Sequence, residues 1–102
     1  MEFIETSIFT KVSRELLGDD QLRRLQTTLA MFPTTGKIIP GSGGLRKLRW
    51  VLDGEGKRGG LRVIYYWVTQ DDQIFLLYVY KKSVQEDMTV AELKILRKAL
   101  EV

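Results

Sequence analysis

Six cations fall between Leu45 and Arg62 of this 102-residue chain: Arg46, Lys47, Arg49, Lys57, Arg58 and Arg62, against two acids, Asp53 and Glu55. The net charge of that segment, +4, exceeds the +3 of the whole protein, because the other ten cations and eleven acids sum to −1. Guanidinium and ammonium groups gathered beside tryptophans and tyrosines suit an anion with flat rings attached, which is the chemistry of nucleic-acid phosphates and bases. What is missing narrows the chemistry further. There is no histidine and no cysteine, so the commonest general base, the commonest metal ligand and every thiolate mechanism are excluded together. Neither a metal nor a cofactor is expected. Any reaction must use lysine, arginine, tyrosine, carboxylates or backbone groups.

These cations need elements to hold them. Leu45 to Leu52 alternates as a strand, with Arg46, Leu48, Trp50 and Leu52 on one face and Lys47, Arg49 and Val51 on the other, wet one. Asp53 to Gly60 carries glycines at 54, 56, 59 and 60 and reads as a hairpin loop. Leu61 to Thr69 is strongly β-prone through Val63, Ile64, Tyr65, Tyr66, Trp67 and Val68, and Ile74 to Tyr80 reads as a second central strand after the turn Gln70 to Gln73. Residues 45 to 80 therefore predict a three-stranded antiparallel meander. Lys81 and Lys82 end it, and period-two geometry puts Lys82 on the face of Tyr78 and Tyr80.

Around the meander lie helices. Phe9, Val12 and Leu16 share one helical face before Gly18, a stop signal; Asp19 then caps a second helix whose stripe is Leu22, Leu25, Leu29 and Phe32, ended by Pro33. Phe3 to Thr6 predicts a short edge strand. Thr34 to Gly44, with four glycines and Pro40, reads as a loop with Ile38 and Ile39 pinned to the core. Thr89 to Glu92 matches a capping box, and Leu93, Leu96 and Leu100 give the stripe of a C-terminal helix. The expected fold is α+β in a single domain spanning residues 1–102: a short N-terminal strand, a helix hairpin, the meander completing a small twisted sheet, and a C-terminal helix. No apolar run approaches the roughly 20 residues that span a bilayer, and the first ten residues lack the cations of a signal peptide. A cytoplasmic location, with no membrane partner, is the expectation.

Arg62 enters a strand of otherwise apolar and aromatic residues, where a cation is held more rigidly than on a loop. Its functional reading is an anion-binding group; its structural one is an arginine paired with Asp53 or Glu55. Lys47 and Arg49 can join it in one patch or form a solvated sheet face. Lys57 and Arg58 sit between glycines as a binding loop or a solubility cluster, and the spacing of a phosphate-binding P-loop is lacking. Tyr65, Tyr66, Trp67, Tyr78 and Tyr80 read first as sheet packing. If such a site cleaves RNA, a ribose 2′-hydroxyl must attack its own phosphate in line while cations neutralise the phosphorane. A lysine crowded by like charges can then move protons without histidine. Proton transfer by a positioned side chain contributes roughly 100- to 10,000-fold, so an enzyme this sparsely equipped is expected to need a partner that aligns the substrate.

The order of elements, with GSGGLRKLRW, GEGKRGG, LRVIYYW and LLYVYKKS, resembles the RelE superfamily of toxins from toxin–antitoxin systems, most closely its HigB-type branch, over nearly the whole chain. The resemblance implies a metal-independent, ribosome-dependent mRNA endonuclease that cuts the codon in the decoding site through the 2′-hydroxyl. It also implies a cognate antitoxin, usually a helix-turn-helix DNA-binding protein. By the same resemblance Lys47 and Arg49 match the strand lysines of RelE-type toxins, Arg62 the arginine of the next strand and Lys82 the basic residue after the last, making these four the catalytic candidates. Lys57 and Arg58 match the HigB-type basic loop and, with Arg46 and Lys81, are the RNA-binding candidates. One departure stands out: Glu86 to Val90 holds no tyrosine, so the acid–base role is open between Tyr80, another group, or none. Two other readings share the basic patch: a non-catalytic ribosome-binding inhibitor of translation, and a degenerate toxin that only binds its antitoxin.

Overall fold

A computed structural model describes residues 1–52 and 60–100. The chain runs β1 (Glu2–Glu5), α1 (Ser7–Leu16), α2 (Gly18–Met31), β2 (Lys37–Ile38), β3 (Arg46–Trp50), β4 (Leu61–Val68), β5 (Gln73–Lys81) and α3 (Val90–Lys98). One sheet collects the strands in the order β1-β5-β4-β3-β2, antiparallel throughout except for the parallel pair β1 and β5. The α+β expectation is met.

Alternation along β3, β4 and β5 gives the sheet two apolar faces. On one, Leu48, Leu61, Val63, Tyr65, Ile74, Leu76 and Val79 pack with Phe9, Leu17, Leu25 and Leu29 of the helix hairpin. On the other, Leu45, Ile64, Leu77 and Tyr80 meet Leu93 and Leu96 of α3. Full burial of each such side chain contributes about 1.5–3 kcal/mol, so both faces are anchored independently. A bulge near Ile64/Tyr65 sets Tyr65 opposite Leu76 and Ile64 opposite Tyr78, which lets Leu76 face the hairpin while Tyr78 faces α3.

The helix ends differ from the reading in one respect. Gly18 does stop α1, with φ +74°, but α2 begins at that same residue after Leu17, and no side chain caps it. The turn is too tight to leave Asp19 outside the helix. Asp19 and Asp20 instead occupy the first turn, where a carboxylate meets the positive end of the helix dipole. Thr6 caps α1, accepting from Phe9 N–H at 3.1 Å while its hydroxyl donates to Leu77 C=O at 2.8 Å. Phe32, placed on the apolar stripe by spacing, is 59% exposed, because the helix ends before that position can reach the sheet.

The Thr34–Gly44 segment is more than a loop. Lys37 and Ile38 pair with Lys47 and Arg46 as an edge strand. Ile38 is 56% exposed rather than pinned, and Ile39 alone packs against the α3-side core. The edge is held through Tyr65, whose hydroxyl donates to Pro33 C=O at 2.7 Å and accepts from Gly36 N–H at 2.9 Å. Gly36 approaches so closely that a Cβ there would lie 2.7 Å from Tyr65 Cε1. Only glycine fits at that point.

Candidate RNA-cleavage face

Strand register brings the sequence candidates together. Arg49 sits opposite Arg62 on β3 and β4, and Arg62 sits opposite Tyr80 on β5, so these three form one cross-strand row on the α3 face of the sheet. The next row is Lys37, Lys47, Ile64 and Tyr78. Side chains directly opposite on one face have Cβ atoms about 4.5–5.5 Å apart, so Lys37, Lys47, Arg49 and Arg62 make one patch of four cations. Arg46 belongs elsewhere. It faces the hairpin side with Leu48 and donates from Nη1 to Gly36 C=O at 2.8 Å, bracing the β2 edge.

Arg62 is the fixed point of the patch. It is only 4% exposed, its Nη1 donates to Leu61 C=O at 3.2 Å, and its Nε has no hydrogen-bond partner among the described residues. Its partner carboxylate is Glu86, with Nη2 and Oε1 3.7 Å apart. Asp53, Glu55, Lys57 and Arg58 lie outside the described residues. A buried guanidinium that, among the described residues, has an unsatisfied donor and a single long ion contact is suited to a further anion, since unmade hydrogen bonds in a buried site are costly.

Tyr80 closes the row. It stacks on Tyr78 with ring centroids 5.8 Å apart, and its hydroxyl donates to Glu86 C=O at 3.3 Å. Burial pushes its hydroxyl up to about 12, with the Asp87 charge adding to the rise and Arg62 opposing it. At neutral pH it is therefore an uncharged phenol, able to donate a proton but not to act as a phenolate base. Lys47 is not left among like charges: its Nζ donates to Asp87 Oδ1 in an ion pair. That hydrogen bond, and next the Lys47 charge, hold the Asp87 carboxyl below the usual carboxylate range. Lys81 ends β5 exposed, and Lys82 follows it half-buried, its backbone N–H donating to Gly60 C=O at 3.1 Å. No described contact ties the Lys82 ammonium to the row.

Beside the patch lies a groove of about 390 Å³, lined on its apolar side by Ile38, Ile39, Pro40, Ile64, Met88 and Leu93 and on its polar side by Lys37, Lys47, Tyr80 and Asp87. Sequence reasoning missed Lys37, Glu86 and Asp87. Lys37 lies in a two-residue strand that only pairing defines. The acids reach the patch through contacts 24 and 40 residues away in the chain, which no local pattern reports.

A family model described as the RelE toxin of the RelE/RelB toxin–antitoxin system matches residues 1–101. The chain belongs to the RelE toxin family. It is thus the toxin component of a toxin–antitoxin pair, an inhibitor of translation whose partner is an antitoxin. The match is to the RelE family as a whole and does not single out the HigB-type branch. Among solved structures the chain is similar to a double arginine-to-alanine mutant of E. coli toxin RelE in the free state. The TM-score is 0.64 at 15% identity, over 99% of this chain and 97% of that one. That likeness concerns the fold: this RelE-family sheet and its helices follow the same plan. No described helix is long and apolar enough to cross a membrane.

Proposed function

We propose that this RelE-family chain is a ribosome-dependent mRNA endonuclease, cutting the codon in the decoding site by attack of a 2′-hydroxyl on the adjacent phosphate. The observation that carries this reading is the Arg49, Arg62, Tyr80 row, in which a buried guanidinium with a donor unmet among the described residues lies beside a neutral phenol. In the reaction the 2′-oxygen forms a bond to phosphorus and loses its proton. The bond to the 5′-oxygen breaks, and that oxygen leaves with a proton, giving a 2′,3′-cyclic phosphate and a 5′-hydroxyl.

Arg62 meets the charge that develops on the phosphorane; a fixed donor aimed at developing charge is the largest single contribution in most such sites. Lys82 is assigned the second contact to that charge. Lys47 and Arg49 neutralise the flanking phosphates, while Lys57, Arg58 and Lys81 grip mRNA and ribosomal RNA. Tyr80 is the phenol positioned to donate rather than accept a proton. The proposed reaction uses neither metal nor cofactor, because guanidinium and ammonium groups supply the positive charge. The ribosome supplies the in-line alignment, which is why free RNA is expected to be a poor substrate. A ribosomal target places the reaction in the cytoplasm. The antitoxin is proposed to be a helix-turn-helix protein encoded in an adjacent reading frame.

The test adds purified protein to programmed ribosomes and, separately, to naked mRNA, and maps 5′ ends by primer extension. Ends within the decoding-site codon, formed only with ribosomes, support the proposal. Arrested translation with intact mRNA would replace it with inhibition by occupancy.

A further inference from the structure

The cation patch is occupied in the free protein by the chain's own acids. Glu86 and Asp87 are consecutive residues in the segment joining β5 to α3. One reaches Arg62 on β4 and the other Lys47 on β3. Glu86 and Asp87 lie in a bend, each set against a different cation, so the pair presents two neighbouring anions to the patch, as two consecutive phosphates of a single-stranded RNA would. We infer that this segment is a substrate-mimicking clasp: its carboxylates mark two phosphate subsites, at Arg62 and at Lys47, and it must lift before RNA can enter. This rests on the reading of the patch as the mRNA phosphate site.

The segment is held down from both ends. At the β5 side Val84 N–H and Gln85 N–H both donate to Lys81 C=O, at 3.1 and 3.2 Å, and the Tyr80 hydroxyl donates to Glu86 C=O. At the α3 side the Gln85 amide donates to Asp87 C=O at 2.8 Å and to Glu92 Oε1 at 2.7 Å. Glu92 is itself fixed by the capping box with Thr89. The acids contribute little to the fold. The Glu86 and Asp87 side chains are 51% and 70% exposed, and exposed ion pairs are weak and screened by salt. A clasp of this strength is shut in the free protein and yields to a ribosome-bound phosphate chain, which presents many charges at once.

The experiment measures binding of a labelled, 2′-deoxy-substituted, non-cleavable RNA oligonucleotide by fluorescence anisotropy for three proteins. These are the wild type, the double variant Glu86→Gln/Asp87→Asn, and a control, Glu15→Gln/Asp19→Asn, which removes the same charge from exposed positions on the helix hairpin. Releasing two ion pairs whose carboxylates are open to solvent predicts about 2- to 30-fold tighter binding by the clasp variant, with the control near wild type. Faster amide exchange across residues 84–89 of the wild type on RNA binding is the second expected result. Unchanged or weaker binding by the clasp variant overturns the inference, and so does equal tightening by the control, which would mean a general charge effect. Wild-type cleavage on ribosomes, followed alongside, separates the two claims: cleavage without tightening removes the clasp, and tightening without cleavage removes the endonuclease.

Discussion

Replacing Arg62 separates transition-state chemistry from simple grip. Among the described residues its guanidinium makes one hydrogen bond, to the neighbouring Leu61 carbonyl, and a 3.7 Å contact with the half-exposed Glu86. Arg62→Ala therefore strands no deeply buried charge, and the fold should lose no more than about 1–2 kcal/mol. Catalysis should suffer more. Losing one preorganised donor to a developing oxyanion costs about 2.7–4 kcal/mol, or 100- to 1,000-fold in rate. Arg62→Lys keeps the charge but gives up the planar fork. With one charge-assisted hydrogen bond lost, at about 1.5–3 kcal/mol, it should fall roughly 10- to 150-fold. The assay is single-turnover cleavage on programmed ribosomes with toxin in excess, alongside ribosome affinity by co-sedimentation. The expected signature is a reduced rate at saturation with affinity within about threefold of wild type. A Lys variant that cleaves at the wild-type rate, or an Ala variant whose whole defect lies in affinity, would refute the assignment.

Lys37→Ala and Lys47→Ala should each weaken ribosome binding and lower the slope of log affinity against log salt by about 0.7, the value for one single-strand phosphate contact; an unchanged slope in a salt titration would place that lysine outside the interface. Tyr80→Phe bears on alkaline stability. The folded tyrosine titrates near 12 against 10.0, so between those values the native state holds a proton that the unfolded state has lost. Tyr80 therefore costs stability progressively as pH rises above about 10, and the Phe variant should show a smaller fall in Tm across that range. Tyr65→Phe should lower stability by about 1–3 kcal/mol, because it leaves the buried Gly36 N–H and the Pro33 carbonyl without their shared partner. Since that hydroxyl also holds the edge bearing Lys37, ribosome affinity should fall with it, and unaltered affinity would show that the edge is positioned some other way.

Much of this was legible in the sequence because it is periodic. Spacings of three and four set the helix stripes of α1, α2 and α3, and alternation correctly divided Arg46 from Lys47 and Arg49. The capping box at Thr89 and Glu92 formed as its residue types required. What escaped is non-local. A two-residue strand such as Lys37–Ile38 has no pattern to show and exists only through its pairing with β3. The single closing residue between α1 and α2 is a matter of how tightly the hairpin turns, which Asp19 as a good capping type could not reveal. Placing Arg62 beside Arg49 needed the register of β3 against β4, whereas the face of each alone needed only counting. The pairing of Arg62 with Glu86 depends on the course of the segment after β5, and neither residue's type announces the other.

Cleavage through the ribose 2′-hydroxyl at the cation row can be tested on the nucleophile itself. Programmed ribosomes carry either an ordinary mRNA or the same mRNA with single 2′-deoxy nucleotides in the decoding-site codon, and the products' termini are analysed chemically. The ordinary message should end in a 2′,3′-cyclic phosphate, and cutting should fail completely where the missing hydroxyl is the nucleophile. Equal cutting of every deoxy-substituted message would contradict it.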